Sequence, residues 1–430
     1  MKTRDYLFIL LMALPCAKGA AQDYEKFRVG GYGEMVASRK DYGTNRFMNP
    51  TGNTREDRNT IAIPRFVLAF DYKFNPKWIL SAEIEFESGG TGTALELENT
   101  ENGEYETEIE KGGEVAIEQF HLTRLIHPAF NVRAGHLIVP VGLTNSHHEP
   151  INFFGTVRPE GETTILPSTW HETGIEFFGS FGAGYAKFDY QTQIVAGLNP
   201  NGFDRNTWVA GGKQGFFEVD NFTSPAYVVR LDYKGVKGLR VGGSFYYCAD
   251  AGKNADKSQT YAAIGKIPVR IFTADAQYRN QYVTARGNIV YGNIGNTTAL
   301  SRKNGQLSNL SPYSRITPVA KNAVCYGGEA GVNLAGIFHH EKKMPVIYPF
   351  ARYEYYNPQE KGESNQTMDN RCQVSAWTVG ANWFALPNLV VKADYTTRQI
   401  GTSKVFGKGS YNSENEFSLG VAFVGWFFNK

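Results

Sequence analysis

Residues Phe417 to Phe428 read F-S-L-G-V-A-F-V-G-W-F-F, and the reading of that stretch decides the fold. Phe417, Leu419, Val421, Phe423 and Phe427 recur at a period of two, so an extended strand carries all of them on one face. The other face begins small and polar, with Ser418, Gly420 and Ala422. The strand closes on Trp426, Phe427 and Phe428, where an aromatic girdle would meet a bilayer interface. The preceding segment repeats the plan. Leu389, Val391, Ala393 and Tyr395 point one way, while Lys392, Asp394, Thr396 and Arg398 point the other. One side suits hydrocarbon and the other suits water.

Working outward, the same two-residue period appears at 27–38, 60–74, 78–88, 114–126, 130–140, 171–181, 185–198 and 226–234. It continues at 239–250, 267–279, 281–293, 323–338, 346–357, 373–384, 389–399 and 416–428, about sixteen strands in all. Short turns at 75–76, 127–128, 182–184, 235–238, 280, 339–343 and 386–387 alternate with long polar segments. The long ones are 39–59, 89–113, 141–170, 199–225, 251–266, 294–322, 358–371 and 401–413. This alternation predicts an all-β, closed up-and-down transmembrane β-barrel of antiparallel strands, with short periplasmic turns and long extracellular loops. No 3.6-residue period is long enough to matter, and no second domain is visible.

Composition agrees. Aromatics are 14% of the 430 residues and glycines number 46, which suits strands, girdles and turns. Beyond the leader no apolar run reaches the ~20 residues of a spanning helix. The leader itself joins a basic start (Lys2, Arg4), an apolar run from Leu7 to Leu14 and small residues from Ala17 to Ala21. It predicts a signal peptide over 1–22, cleaved near Gln22, and a single barrel domain over 23–430. Pro15 argues against lipidation of Cys16. Losing Lys2, Arg4, Lys18 and Asp5 takes the formal charge from +2 to 0, so no affinity for nucleic acid is expected. Cys248, Cys325 and Cys372 are far apart and odd in number, which predicts neither a disulfide framework nor a zinc site.

If one face meets lipid, the other lines a lumen, because only closure leaves no unpaired edge. With Phe66, Leu68, Phe70 and Tyr72 outward, Arg65, Asp71 and Lys73 point in; with Trp78, Leu80, Ala82, Ile84 and Phe86 outward, so do Glu83, Glu85 and Glu87. The same rule turns Arg133, Glu172, Glu176, Lys187, Asp189, Arg230, Asp232, Lys234, Arg240, Asp275, Arg279, Arg286, Glu329, Arg352, Glu354, Lys392, Asp394 and Arg398 inward. A basic residue facing mid-membrane lipid would cost roughly 2–4 kcal/mol, so the shared parity implies a wet interior. A sixteen-strand interior is too wide for wall side chains to fill, and an aqueous channel is expected. Segment 141–170 carries His147, His148, Arg158, Glu160 and Glu162 beside Ile151, Phe153, Phe154, Ile165 and Leu166. Its apolar residues predict that it folds inward onto the wall; the alternative is an external contact surface for neighbouring subunits.

The stretch from Arg133 to Leu143, R-A-G-H-L-I-V-P-V-G-L, resembles the G-Q-x-K-x-P-x-G-L segment of the phosphate-selective porin family of the O and P type. The stretches N-F-F from Asn152, R-P-E from Arg158 and W-H-E-T-G-I-E-F from Trp170 resemble that family's constriction region. The resemblance implies a homotrimeric outer-membrane porin, in contact with lipid, that passes small hydrophilic solutes or anions such as phosphate. His136 and Ile138 stand where the family has Gln and Lys, so one basic residue of the anion path is missing. The expected constriction and channel lining is Arg65, Arg133, His136, Arg158, Glu160, Glu162, Glu172, Glu176, Arg286 and Arg352.

Other chemistry finds little support. His136, His147, His148 and His171 bracket the third loop beside Glu149 and Glu172, but scattered histidines are commoner than ligands, and no metal or cofactor is expected. Ser168 and His171 lack the context of a hydrolase, there is no G-x-S-x-G, and no enzyme is expected. The sequence thus points to passive diffusion through a barrel. The alternative is a non-conducting barrel serving adhesion or anchoring a surface complex.

Overall fold

The structure, a computed structural model, describes residues 26–44, 55–99, 105–214, 219–308, 311, 313–338, 345–364, 366–401 and 412–429. The leader at 1–22, the short turn at 339–343 and parts of the first, second, fourth, sixth, seventh and last long loops lie outside these. The strands are β1 (Phe27–Thr44), β2 (Arg55–Asn75), β3 (Trp78–Asn99), β4 (Tyr105–His127), β5 (Phe130–Ile138), β6 (His171–Ala183), β7 (Ala186–Val195) and β8 (Ala226–Tyr233). They continue as β9 (Leu239–Cys248), β10 (Val269–Arg279), β11 (Val283–Ile294), β12 (Asn322–Val332), β13 (Val346–Lys361), β14 (Val374–Leu386), β15 (Leu389–Ile400) and β16 (Asn412–Asn429). Each pairs antiparallel with its sequence neighbours, and β1 pairs with both β2 and β16, so all sixteen close into one barrel.

Parity separates two environments. In β8, Tyr227, Val229 and Leu231 are exposed on the outer surface while Ala226, Val228, Arg230 and Asp232 are buried within. In β16, Phe417, Leu419 and Val421 are outward and Ser418 and Ala422 inward. β4 keeps this separation by a bulge. Its register against β3 runs Gln119 to Glu83 and then Ile117 to Ile84, leaving Glu118 as the extra residue. Val115 and Ile117 before it and Phe120 and Leu122 after it are therefore all exposed outside, while Glu118 is fully buried inside.

Two departures from the sequence reading follow. The second long segment, expected as a polar loop at 89–113, is mostly a projecting hairpin in which 92–99 pairs with 105–112. Its run of glutamates masked an alternation visible in Leu95 and Leu97 against Glu96 and Glu98. The second departure is larger, because the interior is not wet throughout. At the long-loop end, Leu198, Phe203, Trp208, Val209, Tyr261, Leu300 and Val319 come from three long loops. They pack, buried, against inward Val195, Val228, Tyr246, Val269 and Val290. The indole of Trp208 donates to Ala320 O at 3.1 Å and lies on Gly292, where a Cβ would meet the ring at 2.0 Å. The polar composition of these loops hid the few large apolar residues that draw them inside.

Candidate functional site

The segment joining β5 to β6 leaves the wall beside a bond from Val139 N to Trp170 O at 2.8 Å. It contains two short helical turns, α1 (Leu143–Ser146) and α2 (Glu160–Ile165). The Glu162 carboxylate accepts from the backbone N–H of Leu143 at 3.1 Å, Thr144 at 2.7 Å and Asn145 at 3.3 Å. It thereby satisfies donors that a helix start leaves open. Gly142 (φ +91°) is required at this approach, since a Cβ there would lie 2.2 Å from Glu162 Oε1. Burial pushes the Glu162 carboxyl up to about 7, against the opposing hydrogen bonds from Thr144 and Asn145.

The rest of the segment is bonded to the wall. Lys392 Nζ donates to the carbonyls of Phe153 and Gly155, both at 2.8 Å, and to Pro150 O at 2.5 Å. Glu329 accepts from Phe154 N at 3.1 Å, Asp394 from Thr156 N at 2.5 Å, and Glu354 from Gly161 N at 3.2 Å. Arg352 donates to Val157 O at 3.3 Å, and Arg398 pairs with Glu160, Nε to Oε1 at 2.9 Å. Burial alone would raise Glu160, but the Arg398 guanidinium outweighs it and holds the carboxyl below its ordinary value. Elsewhere on the ring, Arg65 donates to His148 O at 2.8 Å and Thr169 Oγ1 at 3.2 Å, and Arg230 reaches Gly142 O at 3.4 Å. β8 and β15 lie on opposite sides of the sixteen-strand ring, so a segment bonded to both crosses the lumen.

No family model matches the chain. An uncharacterized protein of Aquifex aeolicus (strain VF5) is 24% identical over 392 residues, 91% of this chain and 80% of that one. Among solved structures, OmpF of Salmonella typhi in complex with daunomycin aligns with a TM-score of 0.55 at 12% identity, over 93% of this chain and 98% of that one. The outer membrane channel DcaP of Acinetobacter baumannii aligns at 0.53 and 11% identity, over 95% and 99%. An anion-selective porin from Comamonas acidovorans aligns at 0.50 and 8% identity, over 93% and 99%. The chain has the porin fold. At such identities the likeness is one of architecture, and the side chains have to be read in place.

In this porin-type barrel most of the candidate residues sit inside, in ion pairs. Arg65 lies 3.6 Å from Glu34 and 3.8 Å from Glu85, and its side chain is 2% exposed. Arg133 bonds Glu176 at 3.2 Å, and Glu176 also accepts from Gln193 at 2.7 Å. Glu172 accepts from the Trp170 indole at 3.1 Å. Arg286 and Arg352 share Glu329. The two terminal nitrogens of Arg286 make no hydrogen bond. Arg286 also lines a cavity of about 160 Å³ together with Ile151, Phe153, Gln277 and Thr284. Arg158 differs from the others. Its Nη1 donates to Ser168 Oγ at 3.0 Å and Thr169 Oγ1 at 3.3 Å, and among the described residues it has no ion-pair partner.

His136 is a correction. Arg133, Gly135 and Leu137 share the inward parity, so His136 is out of step. It is registered between the exposed Phe120 and Thr173 and faces outward. Its ring meets His171, centroids 4.6 Å apart, with Lys213 Nζ 3.0 Å beyond at His171 Nε2. The four histidines are not one cluster. His147 sits against Arg240, and burial followed by that guanidinium pushes it down to about 3. His148 sits against Glu118. Ser168 faces Arg158, and His171 is engaged by His136 and Lys213, so the two are not brought together. The sequence reading missed Glu118 and Tyr32. The break in alternation across V-A-I-E-Q-F-H-L, from Val115 to Leu122, was the signal for Glu118.

Proposed function

We propose that the chain is an integral outer-membrane porin, exported by cleavage of the 1–22 leader and passing small hydrophilic solutes by passive diffusion. The observation that carries this reading is the lumen-crossing segment. Its backbone is bonded to inward side chains of β2, β8, β12, β13 and β15, a way to narrow a barrel while keeping polar groups along the remaining path. Anions, phosphate among them, are the favoured solutes. Among the described residues Arg158 has no carboxylate partner and Arg286 has unused donors, and the Arg133 side chain keeps 27% exposure despite its pair. Assembly as a homotrimer rests on the resemblance in sequence and is tested by the mass of the detergent-solubilised particle.

The dry packing at the long-loop end favours a second reading, a barrel that conducts nothing and displays its loops. Planar-bilayer recording separates the two. Stepwise current is expected from the refolded mature protein, whereas a correctly folded but silent barrel would sink the porin reading. Arg158→Glu should lower the anion-to-cation permeability ratio several-fold. Charges about 4 Å apart interact by roughly 1 to 4 kcal/mol between bulk water and a protein surface. An unchanged reversal potential in a salt gradient would remove Arg158 from the path.

A further inference from the structure

His148, on the crossing segment, meets two carboxylates of the wall. One ligand atom from each of Glu83, Glu118 and His148 lies within 4.8 Å of the others. Glu118 is fully buried and His148 nearly so. The His148 Nε2 and Glu118 Oε1 atoms are 3.1 Å apart, yet among the described residues Glu118 Oε1 has no hydrogen-bond partner. The ring explains why. Its Nδ1 faces the carbonyl of Asn145 at 3.3 Å, and a carbonyl can only accept, so the proton of a neutral imidazole sits on Nδ1. In that form Nε2 presents a lone pair toward the carboxylate oxygen, and in the imidazolium form it pairs with that oxygen directly. The 3.1 Å separation is close to the roughly 3.3 Å between two ligands on one tetrahedral zinc.

The surroundings hold this arrangement. The Tyr32 hydroxyl donates to Glu118 Oε2 at 2.7 Å, and the Gln119 amide donates to Glu83 Oε2 at 2.7 Å, leaving one oxygen of each carboxylate available. Orientation of ligands by partners of this kind is typical of metal sites. Charge points the same way. Arg65 is shared by Glu34 and Glu85, and among the described residues neither Glu83 nor Glu118 has an Arg or Lys within ion-pair distance. Glu118 thus has only the His148 imidazole as an ion-pair partner and Glu83 has none among the described residues, and burying unpaired charge is costly.

We propose that His148, Glu118 and Glu83 form a binding site for a divalent transition-metal cation, Zn²⁺ by its ligand chemistry, which ties the crossing segment to β3 and β4. One imidazole with two carboxylates suits Zn²⁺ better than Mg²⁺ or Ca²⁺, which prefer all-oxygen shells. Three protein ligands leave a fourth position to water from the lumen.

The test uses the full mature chain in detergent, stripped with chelator and dialysed against micromolar Zn²⁺, with bound metal read by elemental analysis. One Zn²⁺ per chain is expected. His148→Ala and Glu118→Gln should each weaken binding by at least about tenfold, a loss that even outlying partners of metal ligands can cause. His127→Ala, on a turn at the opposite end, should leave binding intact. Absence of stoichiometric Zn²⁺ from the unmutated protein overturns the site, as does equal binding by His148→Ala. The wild-type measurements stand even if a variant does not fold. Co²⁺ should give the visible absorption of a nitrogen-containing site, and millimolar Mg²⁺ or Ca²⁺ should not displace Zn²⁺; displacement would mean an acidic patch without the imidazole and overturn the assignment. Binding is read without current, so a silent barrel would leave this result untouched.

Discussion

Lys392→Met is expected to raise single-channel conductance several-fold while leaving the barrel folded. The ammonium group is 1% exposed and is the common donor to the carbonyls of Pro150, Phe153 and Gly155. It also lies 4.3 Å from the centre of the Phe153 ring. Methionine has a similar length and no donor, so it would leave three buried acceptors unmet, at about 1–3 kcal/mol each. The segment can recover those hydrogen bonds by moving off the wall into water, which widens the path. Strand pairing between β15 and its neighbours does not involve the side chain, so heat-resistant migration on gels should be retained. Limited proteolysis supplies the second readout, with new cleavage expected between 150 and 156. Unchanged conductance together with unchanged cleavage would show that this lysine does not hold the segment.

Glu329→Gln is expected to destabilise the same region and to turn the channel strongly toward anions. Glu329 is shared by Arg286 and Arg352, with Arg352 Nη2 2.7 Å away, and it also accepts from Phe154 N. Removing one partner from a buried ion network costs roughly 3–5 kcal/mol, because the charges left behind stay in place without compensation. Here two guanidinium groups would be left facing the lumen, with Glu354 3.7 Å from Arg352 as the remaining carboxylate of the group. An anion drawn from solution would offset part of the deficit, so the protein should be more stable in phosphate than in chloride. The reversal potential should move toward that of a pure anion channel, and the double variant Glu329→Gln, Arg286→Met should return it part of the way. If Glu329→Gln leaves both selectivity and urea resistance of the segment unchanged, the cluster has no part in the path.

The wall was legible because its signal is local. Every second residue is apolar from Tyr227 to Leu231 in β8, Leu389 to Tyr395 in β15 and Phe417 to Phe423 in β16, and a strand has only two faces, so Arg230, Lys392 and Arg398 could be placed inside without knowing their partners. His136 was misplaced because a motif was read as a block, whereas parity turns each successive residue to the opposite side. The β4 bulge shows the reverse limit, since one extra residue shifts the period and carries Glu118 inward, marked in the sequence only by the broken alternation from Val115 to Leu122.

What the sequence alone determined is the closed, two-sided wall of about sixteen strands, because hydrocarbon on one face and paired backbone everywhere leave few other solutions. Beyond the inward turn expected of segment 141–170, the tertiary structure alone decided which residues meet inside. The loops carry no period to read, and whether Trp208 buries on Gly292 or His148 meets Glu118 depends on strands distant in the chain coming together around them. Contacts between such distant residues are selected by packing and charge compensation in three dimensions, which composition and spacing do not encode.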